Sequence, residues 1–188
     1  DLVIETLEGI EAASKHRGGV TGVATGFIDL DYMTAGMQPA DLVLIAARPS
    51  MGKTAFVLNI AEHAALKLKV PTVIFSLEMG GKQITNRILA MNARVDAQKM
   101  RIGNLSDADW ANLHESAIAI AEAPLIIDDT PGITISEMRS KCRQYKYEKG
   151  VGMIIIDYLQ LMSAGHKTQS REQEISEISR SLKSLARE

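Results

Sequence analysis

Ala47-Arg48-Pro49-Ser50-Met51-Gly52-Lys53-Thr54 lies between an apolar run, Leu42 to Ala47, and a segment of helical apolar spacing, Thr54 to Leu68. An apolar strand that feeds a helix through a tight, glycine-bearing turn aims free backbone N–H groups at one point, where the helix dipole also favours negative charge. Gly52 lets a ligand approach the backbone, Lys53 offers a compact positive charge, and Thr54 offers a hydroxyl. The stretch therefore reads as a phosphate-binding loop with Thr54 poised for Mg²⁺. It departs from the general eight-residue pattern in one place, since Ala47 stands where that pattern has glycine.

The rest of the chain alternates short apolar strands with helices. Val70-Pro71 stops the helix after the loop, and Thr72 to Leu77 follows as a strand. Gln83 to Asn92 is helical in period. Ser106 with Asp109 opens a helix to about Glu122, and Thr134 with Glu137 opens another that runs to Lys149 and ends at Gly150. Leu125 to Ile127 reads as a short buried strand, Met153 to Asp157 as a fully apolar strand, and Arg171 to Glu188 as a polar-faced helix carrying Ile175, Ile178, Leu182 and Leu185. This order calls for an α/β fold whose mainly parallel sheet is covered by helices on both faces, with ligands beyond the C-terminal ends of the strands. Residues 21–41 are rich in glycine and turn formers and read as a loop with a short turn. Before them, Asp1 to His16 forms an amphipathic helix with Val3, Leu7 and Ile10 on one face. Its stripe packs at home or on a neighbour, and periodicity does not choose between them.

Composition narrows the classes. The 188 residues are 46% hydrophobic and 23% charged, enough for one domain with a substantial core. A formal net charge of -2 gives no global basic footprint, so any nucleic-acid contact has to come from local patches or an assembly. The single cysteine, Cys142, excludes an internal disulfide and sits in a helical pattern as a neutral, buried thiol, which fits a reducing compartment. His16, His63, His114 and His166 have no partner at ligand spacing, so a protein-held zinc site is not expected and the four are assigned to surfaces. No apolar stretch reaches membrane-spanning length, and the N-terminal residues lack the pattern of a signal peptide.

Acidic residues close three of the strands. Asp157 is placed to hold a Mg²⁺ shell, and Glu78, in Ser76-Leu77-Glu78-Met79, to orient and deprotonate an attacking water; by spacing alone Glu78 could equally be a helix N-terminal charge. Asp128 and Asp129 precede the turn sequence Thr130-Pro131-Gly132, where loop backbone groups are the better destination for at least one of them. Both stay outside the catalytic set.

Three blocks carry a resemblance. Ala46 to Thr54, Ser76 to Met79 and Ile156-Asp157-Tyr158-Leu159-Gln160-Leu161-Met162 are similar to those of bacterial replicative DNA helicases of the DnaB type. Thr25-Gly26, Leu30-Asp31 and Gly36 resemble the opening segment of RecA-like cores, and Ser170 to Ser179 resembles the helix that follows the Mg²⁺ aspartate in that family. Family members also have alanine at the position of Ala47. The resemblance implies a RecA-like P-loop NTPase core over residues 18–188 preceded by a linker helix over 1–17. It implies a homohexamer that hydrolyses ATP with Mg²⁺ at subunit interfaces and moves 5′ to 3′ on single-stranded DNA at a replication fork, in the cytoplasm and with primase and a helicase loader as partners. By position, Ser50, Gly52, Lys53, Thr54 and Ala55 hold the nucleotide, Thr54 and Asp157 the metal, and Glu78 and Lys53 serve catalysis. Arg87 matches an arginine that lies against the nucleotide, although a solvated helix charge reads equally well from its surroundings. The linker helix in that family docks on the adjacent subunit. The resemblance also implies a phosphate sensor, DNA-contacting loops and an arginine finger outside these 188 residues, so that this polypeptide alone is expected to hydrolyse nucleotide about 10³-fold or more slowly than the ring. Another RecA-like ring ATPase, a P-loop kinase and a non-catalytic, nucleotide-gated assembly module remain as alternatives.

Overall fold

Three runs of β-branched and aromatic residues form the sheet: Thr72–Ser76 (β1), Leu125–Asp128 (β2) and Met153–Asp157 (β3). In the computed structural model, which describes residues 2–15, 19–166 and 170–188, they are all parallel in the order β2-β1-β3. The register sets Thr72 beside both Leu125 and Met153, Phe75 beside Asp128, and Ser76 beside Asp157. All three strands thus end at one edge of the molecule, with β1 central and wholly buried.

Helices supply the crossovers that parallel pairing requires. They are α1 (Leu2–Lys15), α2 (Ile28–Thr34), α3 (Lys53–Glu62), α4 (Gly81–Ala93), α5 (Ala97–Ile102), α6 (Asp107–Ala121), α7 (Ile135–Lys149) and α8 (Arg171–Ala186). A π-helical turn, His63–Lys67, continues α3, and a 3-10 turn, Leu159–Leu161, follows β3. Side chains alternate across β1 as the pleat demands. Val73 and Phe75 pack with Met138 and Cys142 of α7 and with Ile178, Leu182 and Leu185 of α8. Ile74 turns the other way, against Leu58 and Ala61 of α3 and Ile84 and Ile88 of α4. The sheet is therefore covered on both faces.

Local signals in the sequence account for the ends of most helices. Both capping boxes form: Ser106 Oγ accepts from the Asp109 N–H and Thr134 Oγ1 from the Glu137 N–H, each returned by the acidic partner. Gly150 closes α7 with a left-handed φ of 66°. Two elements are additional to the sequence reading, α2 and α5. The first is a short helix inside the expected loop, held by Asp31, whose buried carboxylate accepts from the N–H and hydroxyl of Thr25 and from the Gly26 N–H. The second is capped by Asp96 through the N–H groups of Gln98 and Lys99.

Two expectations are corrected. Leu42 to Ala47 forms no strand: the segment is unpaired, and Val43, Leu44 and Ile45 are exposed. A strand is defined by its ladder partner as well as by its residues. Here a cleft of about 1300 Å³ separates this segment from β3. For the same reason β3 is an edge strand, with Ile154 37% exposed. His63 is partly buried, not a surface residue, and its ring lies against Gly26, where an added Cβ would come within 2.7 Å of it. His114 and His166 are exposed as expected, and His16 lies outside the described residues. Of the first helix, α1 is formed with Val3, Ile4, Leu7 and Ile10 all exposed.

Candidate nucleotide site

The turn that precedes α3 is built by two residues in the left-handed region, Ser50 at φ 63° and Gly52 at φ 86°. Gly52 is the N-cap of α3 and no side chain caps that end. The first N–H groups of an α-helix have no partner within the helix, so those of Lys53, Thr54 and Ala55 point outward from the turn together with the positive end of the dipole. No atom lies within 4 Å of the position a Cβ would take at Gly52, so this glycine serves the backbone angle and leaves open approach.

Asp157 ends β3 directly opposite this turn. It is 3% exposed, and both of its oxygens are engaged. Thr54 Oγ1 donates to Asp157 Oδ2 at 2.7 Å across 103 residues of sequence, and Lys53 Nζ stands 3.6 Å from Asp157 Oδ1. The Lys53 ammonium also sits 4.0 Å from the centre of the Tyr158 ring, a cation–π contact that sequence reasoning did not anticipate although Tyr158 lies inside a block already singled out. A buried carboxylate needs such partners, because an unpaired charge in a low dielectric is costly. Lys53, Thr54 and Asp157 are therefore brought together as the sequence required.

Glu78 lies just past the end of β1, one strand over, and its side chain is exposed. The turn it occupies is tied to its surroundings at two points and closed internally at a third. The Leu77 N–H donates to the Asp157 carbonyl at 2.8 Å, Ser76 Oγ donates to the Met79 carbonyl at 2.6 Å, and the Gly81 N–H donates to Asp129 Oδ2 at 2.7 Å. Arg87 is exposed on α4, two turns further along, and its side chain forms no hydrogen bond or ion pair among the described residues.

The paired aspartates after β2 divide their work. Asp128 is buried and serves its own neighbourhood: Oδ1 accepts from the Thr130 N–H and hydroxyl, and Oδ2 from Lys141 Nζ at 2.6 Å and the Tyr145 hydroxyl at 3.1 Å. Burial alone would raise its pKa, but the hydrogen bonds from Lys141, Thr130 and Tyr145 outweigh that and hold the carboxyl below its ordinary range. The hydrogen bond to Asp128 in turn raises the pKa of Lys141. Asp129 instead reaches the neighbouring loop, a contact across 48 residues that no local pattern encodes. Cys142 is inert by environment, its thiol pushed up to about 12 by burial and then by the negative charge of Asp128. No group of three or more His, Cys, Asp and Glu side chains poised for a metal occurs among the described residues. Nor is any described helix long and apolar enough to cross a membrane.

Comparison with known proteins agrees with this geometry. A replicative DNA helicase of Bacillus subtilis (strain 168), DnaC, is 50% identical over the whole chain, which spans 42% of that relative's length. Among solved structures, a separately determined ATPase domain superposes with a TM-score of 0.92 at 37% identity, over 99% of this chain and 66% of its own. A DnaB-like replicative helicase, described together with its interactions with primase, superposes with a TM-score of 0.89 at 38% identity, over 98% of this chain and 44% of its own. The RecA-like core, the loop-to-strand contact at Thr54 and Asp157, and a family match running over residues 22–188 lead to one conclusion: the chain belongs to the DnaB-like helicase C-terminal domain family.

Proposed function

We propose that this chain is the ATP-hydrolysing motor domain of a replicative DNA helicase that works as a homohexamer on single-stranded DNA at the replication fork, in the cytoplasm, alongside primase and a helicase loader. The observation that carries the reading is the contact between Thr54 and Asp157, which joins the phosphate loop to the end of β3 with Lys53 beside them. In this reading the outward N–H groups of the turn from Ser50 to Ala55 and the Lys53 ammonium bind the phosphates. The Thr54 hydroxyl and the Asp157 carboxylate fit Mg²⁺, an oxygen-seeking cation that usually keeps several waters and takes only one or two protein carboxylates. When bound, the ion neutralises charge that develops on the phosphates.

Glu78 is the base that orients and deprotonates the attacking water, and its exposed position at the end of β1 leaves it open to a nucleotide on the loop. Arg87, exposed on α4, contacts the nucleotide from the side. Residues 18–188 form the motor and residues 1–17 the linker, whose exposed stripe of Val3, Leu7 and Ile10 docks on an adjacent subunit.

The test is ATP hydrolysis by the full-length protein with and without single-stranded DNA. The expected result is Mg²⁺-dependent turnover stimulated by DNA and reduced to a small residual rate by Glu78→Gln, with nucleotide binding retained. Turnover indifferent to DNA favours a kinase or assembly role and overturns the motor reading, and unchanged turnover in Glu78→Gln overturns the assignment of the base.

A further inference from the structure

Both strands that flank β1 hold the turn leaving it. On the β3 side the link is backbone to backbone, from the Leu77 N–H to the Asp157 carbonyl. On the β2 side it is a side chain, Asp129, whose Oδ2 accepts the Gly81 N–H. The register places Asp128 beside Phe75, so the next residue along β2 stands level with the end of β1 and its carboxylate reaches across to the start of α4. That helix start has no cap of its own, for its N-cap is Gly80. Glycine at 81 permits the approach: a Cβ there would lie 3.3 Å from Asp129 Oδ2 and 3.5 Å from Ile127 Cγ2.

Between these two ties lies Glu78. Ser76 Oγ closes the turn internally through the Met79 carbonyl, and the Met79 side chain packs on the cluster of Leu58, Ile74, Ile84 and Ile88. The Glu78 side chain itself forms no hydrogen bond or ion pair among the described residues. Its direction is therefore set by the backbone of the turn, and the turn is fixed on one side by Asp129.

We propose that Asp129 is a positioning residue for nucleotide hydrolysis: by accepting the Gly81 N–H it fixes the turn from Leu77 to Gly80 and so aims the Glu78 carboxylate. The proposal rests on the reading of Glu78 as the base. Misplacing a catalytic group by about 1 Å costs up to about a hundredfold in rate, so loss of the tie acts on turnover and not on nucleotide affinity.

The test uses steady-state ATP hydrolysis and nucleotide binding by the full-length protein. Asp129→Ala is expected to lower kcat by about ten- to a hundredfold with nucleotide Kd within about twofold of wild type. Asp129→Asn keeps an acceptor oxygen and recovers most of the rate. Gly81→Pro removes the donor from the other side at a first helical position that suits the proline backbone, and its ring displaces the Asp129 carboxylate, so the tie is broken and the kcat loss reproduced even if the alanine variant folds poorly. In the background of Glu78→Gln, adding Asp129→Ala changes the residual rate by less than about twofold, because the two residues act as one unit.

Wild-type kcat in Asp129→Ala or in Gly81→Pro overturns the proposal. So does a further loss in the double variant equal to that of Asp129→Ala alone, the result expected if Asp129 only capped α4. Wild-type turnover in Glu78→Gln removes the base itself, and that failure is distinguishable because it shows in the single variant without Asp129 being touched.

Discussion

Replacing Lys53 with alanine separates what this side chain does for the fold from what it does for the ligand. Lys53 stands beside a carboxylate that is 3% exposed. At 3.6 Å and an effective dielectric of about 20 the gross attraction is about 5 kcal/mol. Most of that is offset. The Lys53 side chain is 26% exposed and regains solvation and rotamer freedom when released, and Asp157 keeps the Thr54 hydroxyl. With the Tyr158 contact worth about 0.5–1 kcal/mol, the net loss on truncation is about 1–2 kcal/mol. For a domain of this size that lowers the melting temperature by about 2–8 °C.

Nucleotide reverses the comparison. Added at a hundred times its Kd, Mg²⁺-ATP stabilises wild type by about 2.7 kcal/mol, whereas a variant whose Kd has risen a hundredfold gains only about 0.4 kcal/mol at the same concentration. Thermal unfolding with and without nucleotide, followed on the transition that moves in wild type, reads both numbers. A Lys53→Ala protein that melts with wild type when nucleotide-free shows that the contact with Asp157 is idle. One that also keeps the full nucleotide shift refutes the phosphate-loop reasoning altogether.

Asp128→Asn removes a buried charge that Lys141 and Tyr145 depend on, and is expected to cost about 1–3 kcal/mol at pH 7, toward the lower figure because the Lys141 side chain is a third exposed. Because the folded carboxyl has its pKa lowered, its contribution is complete above the unfolded value of about 3.9 and is lost as pH falls through the folded one; urea midpoints of the two proteins should therefore converge below about pH 4, and a gap independent of pH contradicts the ion-pair account. Cys142, with its thiol pushed up to about 12, should react with a disulfide reagent only when the protein is unfolded, and rapid native labelling would show the packing around α7 to be wrong. Deleting residues 1–16 should lower the mass of the assembly seen by light scattering, since the exposed Val3, Leu7 and Ile10 go with them, and an undiminished assembly returns α1 to a local role.

What the sequence made legible is what short range encodes. The capping boxes at Ser106 and Thr134 need only four consecutive residues, and both formed. The turn from Ser50 to Thr54 is spelled by glycine, lysine and threonine in a row, and Asp157 by an apolar strand that ends in a charge. Contacts that depend on which strands become neighbours were not legible. The tie from Asp129 to Gly81 exists because β2 lies beside β1, and the stacking of Lys53 on Tyr158 because β3 ends beside the loop. Leu42 to Ala47 is the converse case: its residues have strand character, but strand formation belongs to the pair, and across the cleft from β3 the segment has no ladder to join.

The order of strands also bears on the different roles proposed for Asp157 and Glu78, although both lie at the same edge of the sheet. Asp157 is still within its strand, paired in register with Ser76, and so remains 3% exposed, with the Lys53 ammonium and the Thr54 hydroxyl as its partners. Glu78 comes two residues after Ser76, beyond the last paired position of β1, and so is exposed. In the proposed reading, a buried carboxylate held in place by two partners is suited to orienting a cation, because Lys53 and Thr54 fix where its oxygens lie. In the same reading, an exposed carboxylate on a turn tied at both ends suits the proposed base, because it is open to a ligand on the loop and its backbone is held. Under these proposed roles the division of labour follows from a displacement of two residues past the strand end, and the proposal then gives the ties at Leu77 and Gly81 the task of holding the glutamate in place.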